Sequence, residues 1–159
     1  MAFYLTSTKH TGTGMFTDEP IMNGAILERF GGELYHLQDC DADRGVYLQV
    51  DHEIYLGPSL DRASDYTNHS CAPNCGLLWI AIDEVYLVAI ADIPADAELC
   101  WDYSTSTAEY GPDRWTMNCS CGAPECRGLI DQFDTLPVKL QQHYIGLGVV
   151  PPFAQETIK

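Results

Sequence analysis

Short apolar segments separated by turn residues run through most of the chain. They are rich in Val, Ile, Leu and Tyr and lie at 25–27, 46–50, 77–82 and 85–90. Segments of this length and composition are typical of β-strands. The pattern therefore predicts a mostly-β fold, in which Asp83-Glu84 closes a hairpin between the last two segments.

Helical signals are few and short. A helical turn is predicted at 60–66. A helix is predicted from Pro137 to Tyr144, because proline suits a helix start and Gly146 and Gly148 lie just beyond the predicted end. No internal repeat, low-complexity run or long linker is visible, although a polar connection begins at Ser104, before the cysteine-rich segment.

Length and apolar content favour a single globular domain. The chain has 159 residues, of which 46% are hydrophobic, and single domains commonly have about 100 to 150 residues. No apolar run long enough to span a bilayer appears, and residues 1–9 lack the pattern of a secretion signal. We therefore expect an intracellular protein, cytoplasmic or nuclear, that does not enter a membrane.

The charge balance is strongly acidic. The formal net charge is -15, from 23 acidic and 8 basic residues. Direct binding to a nucleic-acid backbone needs Lys and Arg to displace counterions, so the balance argues against it. A basic protein or peptide partner fits better, although acidity that serves only solubility explains the charge equally well.

Three of the seven cysteines crowd into one short segment, at Cys119, Cys121 and Cys126. An odd number of cysteines in a reducing compartment favours metal binding over disulfides. A structural zinc site is tetrahedral, so three thiolates need a fourth ligand from elsewhere, either another cysteine or one of the five histidines. The alternative, three unliganded cysteines in a surface loop, would leave reactive thiols exposed.

Three segments of the chain carry a family resemblance. They are Asn68-His-Ser-Cys-Ala-Pro-Asn74, Glu98-Leu-Cys-Trp-Asp-Tyr103 and Cys119-x-Cys-x4-Cys126-Arg-Gly. In this order they resemble signature segments of the SET-domain protein lysine methyltransferases, and the last resembles the family's post-SET zinc motif. Residues 11–16 are similar to the family's Gly-x-Gly element, and residues 24–33 to the strand and turn that follow it. The resemblance extends from about Tyr4 to Ile130.

The resemblance implies a SET-domain β-fold of several short sheets with a pseudoknot formed by the Asn-His-Ser-Cys segment. It implies a SET-like catalytic domain at 1–110 and a post-SET zinc segment at 111–130. Residues 131–159 lie outside the resemblance and are expected to form a C-terminal tail with the short helix predicted above. The resemblance also implies one structural Zn²⁺ bound by four cysteines. Its ligands would be Cys71, Cys119, Cys121 and Cys126.

The resemblance implies a site for S-adenosylmethionine at Gly12, Gly14, Asn68 and His69, with Tyr103 as the catalytic residue. A lysine amine has a pKa near about 10.4 and must lose its proton before it can accept a methyl group. Burial in an apolar channel, together with a nearby positive sulfonium, lowers the pKa of the amine. A phenol such as that of Tyr103 can then hydrogen-bond the amine and aim its lone pair at the methyl carbon.

Two positions depart from the family pattern in the expected lysine channel. Phe30 stands where tyrosine is frequent, so one hydroxyl that could bond the amine is missing. Trp101 stands where Phe or Tyr is common, and its bulk could restrict the channel or could permit more than one transfer. The number of methyl groups added therefore stays open.

The segment 37–66 is expected to carry much of the substrate groove. Its carboxylates either bind a basic peptide or form a solvated acidic loop. They include Asp39, Asp41, Asp43, Asp51 and Glu53.

The leading hypothesis is therefore a protein-lysine N-methyltransferase that acts on a histone tail or another basic protein. The main alternative is a catalytically silent, zinc-stabilised module that binds a cationic peptide or the cofactor without turnover. A purely structural zinc protein is a third hypothesis. Retention of Asn68, His69 and Tyr103 favours the enzyme.

Overall fold

A computed structural model of the chain describes residues 2–41, 43, 45–59 and 62–158. Short strands account for most of its regular structure, which confirms the predicted mostly-β fold. The described strands are β1 (Phe3–Ser7), β2 (Thr13–Thr17), β3 (Ile26–Phe30), β4 (Leu34–His36), β5 (Leu48–Asp51), β6 (Ile54–Leu56), β7 (Asn68–His69), β8 (Cys75–Ala81), β9 (Glu84–Ala89), β10 (Cys100–Trp101), β11 (Met117–Asn118) and β12 (Leu129–Ile130).

These strands form several small sheets, as the family resemblance implied. Two sheets have three strands, in the orders β3-β9-β8 and β4-β6-β5, and both are antiparallel. The pairs β1-β2 and β11-β12 are also antiparallel, whereas β7 and β10 pair in parallel. Parallel strands cannot be joined by a tight hairpin, so β7 and β10 meet only through the long connection between them.

The predicted hairpin between the last two apolar segments is present as β8 and β9. Its turn lies at 82–83, one residue earlier than predicted, because Glu84 already pairs with Ala81 as the first residue of β9. Leu77 and Leu87 face each other across the hairpin and are fully buried. The prediction at 46–50 was wrong at its start, because Val46 is exposed and β5 begins at Leu48.

The predicted C-terminal helix is present as α1 (Val138–Gly146), which follows Pro137 and ends two residues later than predicted. A second short helix, α2 (Pro152–Gln155), was not predicted. The predicted helical turn at 60–66 is a 3-10 turn over Ala63–Tyr66, and its first two residues lie outside the described part of the chain. Among the described residues, no helix has both the length and the apolar character needed to cross a membrane.

Two apolar cores hold these elements together. The larger core lies between the β3-β9-β8 sheet and its neighbours, and it includes Met15, Leu99 and Trp101. The smaller core is built from the C-terminal segment and includes Phe133 and Phe153, against which the side chains of Val88 and Ile90 pack. The tail therefore packs on the β-sheet region, within one folded unit.

Candidate active site and metal centre

The parallel pair β7-β10 brings the Asn-His segment beside Tyr103. Cys100 pairs with Asn68, and Trp101 pairs with His69. Beyond the strands, the backbone N–H of Tyr103 donates to Nδ1 of His69 at 3.2 Å. Residues 32 to 34 positions apart in the chain thus form one site.

Asn74 fastens the two segments of this site together. Its side-chain amide donates to the carbonyl of Glu98 at 2.8 Å, and its side-chain oxygen accepts from the backbone N–H of Cys100 at 3.0 Å. One side chain thus bonds both a carbonyl and an N–H of the segment 98–100, as a neighbouring strand would, and joins it to the segment that contains Asn68. This function explains why the segment ends in asparagine.

The predicted cofactor residues Gly14 and Asn68 lie together. The amide of Asn68 donates to the carbonyl of Thr13 at 3.0 Å and to Oε1 of Glu98 at 2.8 Å. A Cβ on Gly14 would lie 2.5 Å from that same Glu98 oxygen, so a side chain there would force the Glu98 carboxylate to move. Gly12 has a φ of +83° with open space beside it, and that conformation favours glycine.

Both ring nitrogens of His69 bind groups of the protein. Nδ1 accepts from the Tyr103 backbone, so the ring proton is assigned to Nε2, which lies 3.3 Å from Sγ of Cys71. Burial lowers the pKa of His69 to about 4. The imidazole is therefore neutral at physiological pH, and a ligand that contacts His69 has to use its backbone or the face of its ring.

Tyr103 lies among aromatic rings with its hydroxyl already bonded. The hydroxyl donates to the carbonyl of Thr67 at 2.7 Å. The ring lies 4.7 Å from that of Trp101, 5.4 Å from that of His69 and 6.5 Å from that of Trp115, between centroids. Burial, followed by the negative charges that Cys100 and Glu98 can carry, raises the pKa of the phenol. Tyr103 therefore remains protonated at neutral pH.

A cavity of about 490 Å³ reaches Tyr103 from the side of the β4-β6-β5 sheet. The two predicted channel residues, Phe30 and Trp101, both line it and meet edge to face at 6.3 Å. The indole N–H of Trp101 donates to the hydroxyl of Thr67 at 3.2 Å. Mostly apolar and aromatic side chains line the cavity, and Trp115 among them was not predicted.

The carboxylates that line the cavity differ from those singled out in the sequence. They are Asp65, Glu109 and Asp113, whereas Asp39, Asp41, Asp43, Asp51 and Glu53 are exposed and do not line it. Glu109 accepts from the hydroxyl of Tyr55 at 2.5 Å and from the backbone N–H of Trp115 at 2.6 Å. No local sequence signal separates these two groups of carboxylates, because chain folding alone decides which of them face the cavity.

Four cysteines converge at one end of this site. Sγ of Cys119 lies 3.8 Å from Sγ of Cys71 and 3.6 Å from Sγ of Cys126, and Cys121 lies within hydrogen-bond reach of Cys119 and Cys126. A tetrahedron with metal–sulfur bonds of about 2.3 Å has edges of about 3.8 Å. The two sulfur–sulfur distances from Cys119 fit a zinc site. The donors that all lie within 4.8 Å of one another are those of His69, Cys71, Cys119 and Cys121, whereas Cys126 lies beside this group, next to Cys119.

A buried carboxylate that was not predicted connects the active site and the cysteines. Both oxygens of Asp102 accept from the guanidinium of Arg127, at 2.7 and 2.8 Å, and one of them also accepts from the hydroxyl of Tyr144 at 3.0 Å. The backbone N–H of Arg127 points to Sγ of Cys71 at 3.4 Å. The only sequence signal that could have indicated a role for Asp102 was its position directly before Tyr103.

Comparison with known proteins found one matching domain family and related proteins. Residues 12–104 match the SET domain family. A mouse protein named histone-lysine N-methyltransferase NSD3 is 30% identical over 138 residues, which cover 77% of this chain and 9% of that protein. A human protein named histone-lysine N-methyltransferase, H3 lysine-36 specific, is 31% identical over 139 residues, which cover 77% of this chain and 5% of that protein.

Two solved structures share the fold. The crystal structure of KRYPTONITE in complex with mCHH DNA, H3(1-15) peptide and SAH has a TM-score of 0.66 and 23% identity, covering 81% of this chain and 29% of that one. The crystal structure of Arabidopsis thaliana SUVH6 in complex with SAM has a TM-score of 0.64 and 20% identity, covering 81% of this chain and 33% of that one. The chain thus spans less than a tenth of the two curated relatives and about a third of these structures.

Proposed function

The chain belongs to the SET-domain family, and on that basis we propose that it transfers a methyl group from S-adenosylmethionine to a lysine side chain of a protein. One observation carries the proposal: Tyr103 lines a mostly apolar cavity, and the predicted cofactor residues Asn68 and His69 lie on the strand that pairs with the segment before that tyrosine. A lysine side chain is long enough to reach a buried reaction centre while its backbone stays outside. The runner-up is a silent module that binds a cationic peptide without turnover.

The cofactor would be held by Gly12, Gly14, Asn68 and His69. Bound S-adenosylmethionine supplies a methyl group activated by a positively charged sulfur. Asn68 is oriented by its bonds to Thr13 and Glu98, so it presents a fixed polar surface to a ligand. Both ring nitrogens of His69 are engaged within the protein, so we assign its cofactor contact to the backbone of β7, which is paired along one edge by β10.

Tyr103 would position the attacking amine. Its hydroxyl proton is directed to the carbonyl of Thr67, which leaves an oxygen lone pair free to accept an N–H from the amine. That hydrogen bond fixes the position of the amine nitrogen and turns the nitrogen lone pair towards the methyl carbon. Phe30 and Trp101 would form apolar walls that disfavour the ammonium form and so lower the pKa of the amine. The proton of the amine would leave through water at the cavity mouth.

The cysteine cluster would bind one structural Zn²⁺ through Cys71, Cys119, Cys121 and Cys126. Closed tetrahedral thiolate sites of this kind stabilise short segments that have little core of their own. The segment 111–130 contributes only the two-residue strands β11 and β12 and matches that description. We keep 1–110, 111–130 and 131–159 as the proposed functional regions, although the last packs closely on the first.

The substrate would be a basic protein, with a histone tail as the leading candidate. Two relatives are named histone-lysine methyltransferases, and one structural neighbour was solved with an H3 peptide. The net charge of -15 and the carboxylates that line the cavity favour a cationic peptide over a nucleic acid. An intracellular location, cytoplasmic or nuclear, follows from such a substrate.

Tyr103→Phe tests the proposed enzyme. The purified chain and the variant are incubated with radiolabelled S-adenosylmethionine and histone H3 peptides, and label on lysine is counted. We expect transfer by the parent chain and a loss of about 100-fold in the variant, because the amine is no longer oriented. Binding of S-adenosylhomocysteine, measured by calorimetry, should change little because the ring of the variant still fills the same space.

A parent chain that is folded and zinc-loaded and binds S-adenosylhomocysteine, yet transfers no label to peptides or to proteins of a cell lysate, would establish the silent module instead. Equal transfer by the parent chain and the variant would remove Tyr103 from the catalytic role while leaving the methyltransferase activity in place.

A further inference from the structure

The C-terminal tail reaches the active-site strand through one side chain. Tyr144 lies in α1, outside the matched residues 12–104, and its ring is buried in the smaller core. Its hydroxyl donates to Oδ2 of Asp102 at 3.0 Å. Burial, followed by the charge of Asp102, raises the pKa of Tyr144, so this hydroxyl remains a donor at neutral pH.

Asp102 in turn fixes the start of the short turn whose first residue is Tyr103. It is the N-cap of the 3-10 turn Tyr103–Ser106, and its Oδ1 accepts from the backbone N–H of Ser104 at 3.1 Å. Rotation of this carboxylate would therefore move the first turn of the segment, whose first residue is Tyr103. The side chain of Asp102 has no exposed surface, so water cannot replace a lost donor without opening the core.

The other donor to Oδ2 of Asp102 is Arg127, and Arg127 by itself does not fix the orientation of the carboxylate. Arg127 bonds both oxygens of Asp102, but its own backbone belongs to the cysteine loop and its side chain is partly exposed. The backbone N–H of Ser104 also bonds Oδ1, but it belongs to the turn that Asp102 caps and can move together with the carboxylate. Tyr144 is the donor that attaches the carboxylate to a helix packed in the core.

We infer that Tyr144 is a positioning residue for Tyr103, acting through Asp102, so that the C-terminal segment forms part of the active site. This inference rests on the proposed methyl transfer for its kinetic consequence. Its structural consequence is independent of turnover: the Tyr103 amide, which donates to His69, is protected from exchange because Asp102 holds the turn.

Tyr144→Phe isolates the hydroxyl while the ring still fills its place in the core. Asp102 keeps both bonds to Arg127, so the variant is expected to fold. Gln141→Met is the matched control, because Gln141 is buried in the same helix and its amide bonds the carbonyls of Phe133, Asp134 and Leu136 without contacting Asp102. Both variants lose buried hydrogen bonds from α1, and only one of them touches the active-site carboxylate.

Two measurements test the inference: the kcat of methyl transfer and the hydrogen exchange of the Tyr103 amide. With S-adenosylmethionine and an H3 peptide, Tyr144→Phe should lower kcat about tenfold at nearly unchanged peptide KM, while Gln141→Met keeps the parent kcat. By NMR hydrogen exchange, the Tyr103 amide should lose at least about tenfold in protection in Tyr144→Phe but not in Gln141→Met.

Parent values for kcat and for Tyr103 amide protection in Tyr144→Phe would overturn the inference. Equal losses in both variants would also overturn it, since the effect would then come from general loosening of α1. If the parent chain transfers no methyl group, the proposed function fails, and the exchange of the Tyr103 amide still decides the positioning role.

Discussion

The hydroxyl of Tyr103 donates its proton to the backbone carbonyl of Thr67 at 2.7 Å. A backbone carbonyl cannot be lost by substitution, and the side chain of the same threonine accepts the indole N–H of Trp101 at 3.2 Å. Thr67 therefore orients two of the aromatic residues that line the cavity. Because the phenol proton has a permanent acceptor, Tyr103 meets an incoming amine as a hydrogen-bond acceptor and not as a base.

This geometry predicts how methyl transfer depends on pH. A free lysine is almost entirely ammonium at pH 7, so kcat/KM should rise up to about tenfold per pH unit between pH 7 and pH 9, as the neutral fraction grows. Burial raises the pKa of Tyr103, so the phenol does not ionise in that range and adds no falling arm. Initial rates with a lysine peptide at fixed ionic strength measure this slope.

The residual rate of Tyr103→Phe should show the same slope as the parent chain. A falling arm below pH 9 that disappears in Tyr103→Phe would contradict the prediction, since it would make Tyr103 the titrating group.

Cys71→Ser should reduce zinc to well below one ion per chain. Sγ of Cys71 lies 3.8 Å from that of Cys119, and an uncharged hydroxyl is a far poorer zinc ligand than a thiolate. Elemental analysis of protein purified without added metal measures the ratio. Cys40→Ser is the matched control, because Cys40 bonds the carbonyl of His36, away from the cluster, and its loss should leave one zinc per chain.

Full zinc occupancy in Cys71→Ser would exclude Cys71 as the required ligand. The nearby Nε2 of His69, 3.3 Å from Sγ of Cys71, would then be the replacement donor to test.

Gly14→Ala should weaken cofactor binding. The new Cβ would lie 2.5 Å from Oε1 of Glu98 and 3.0 Å from Nδ2 of Asn68, so the bond between those two side chains must break or shift. We expect about a tenfold rise in the Kd for S-adenosylhomocysteine, which corresponds to about 1.4 kcal/mol. Calorimetric titration measures it.

Gly146→Ala provides the control for the same chemical change. Apart from its chain neighbours and the backbone of its own helix, no described atom lies within 4 Å of the Cβ position at Gly146, which ends α1. Alanine there should leave the Kd unchanged and stabilise the fold slightly, because alanine loses less backbone entropy than glycine. Unchanged cofactor affinity in Gly14→Ala would remove Gly14 from the proposed cofactor site.

Local patterns along the chain predicted local structure well. The alternation of apolar segments and turns predicted β8 and β9, and the proline and glycine signals predicted α1. Several errors fell at boundaries, as at the turn 82–83 and the start of β5, because the ends of elements depend on pairing partners from other segments. The unpredicted helix α2 is only four residues long, too short for a periodic signal.

By itself, the sequence determined the fold class, the family and the chemistry available, because these follow from residue types and spacings within short segments of the chain. Only the tertiary structure decided which distant side chains meet. Cys71 joins cysteines 48 or more residues away, and Tyr144 bonds Asp102 across 42 residues. Such contacts depend on how all segments pack at once, so no local pattern around Tyr144 indicated that it reaches the carboxylate beside Tyr103.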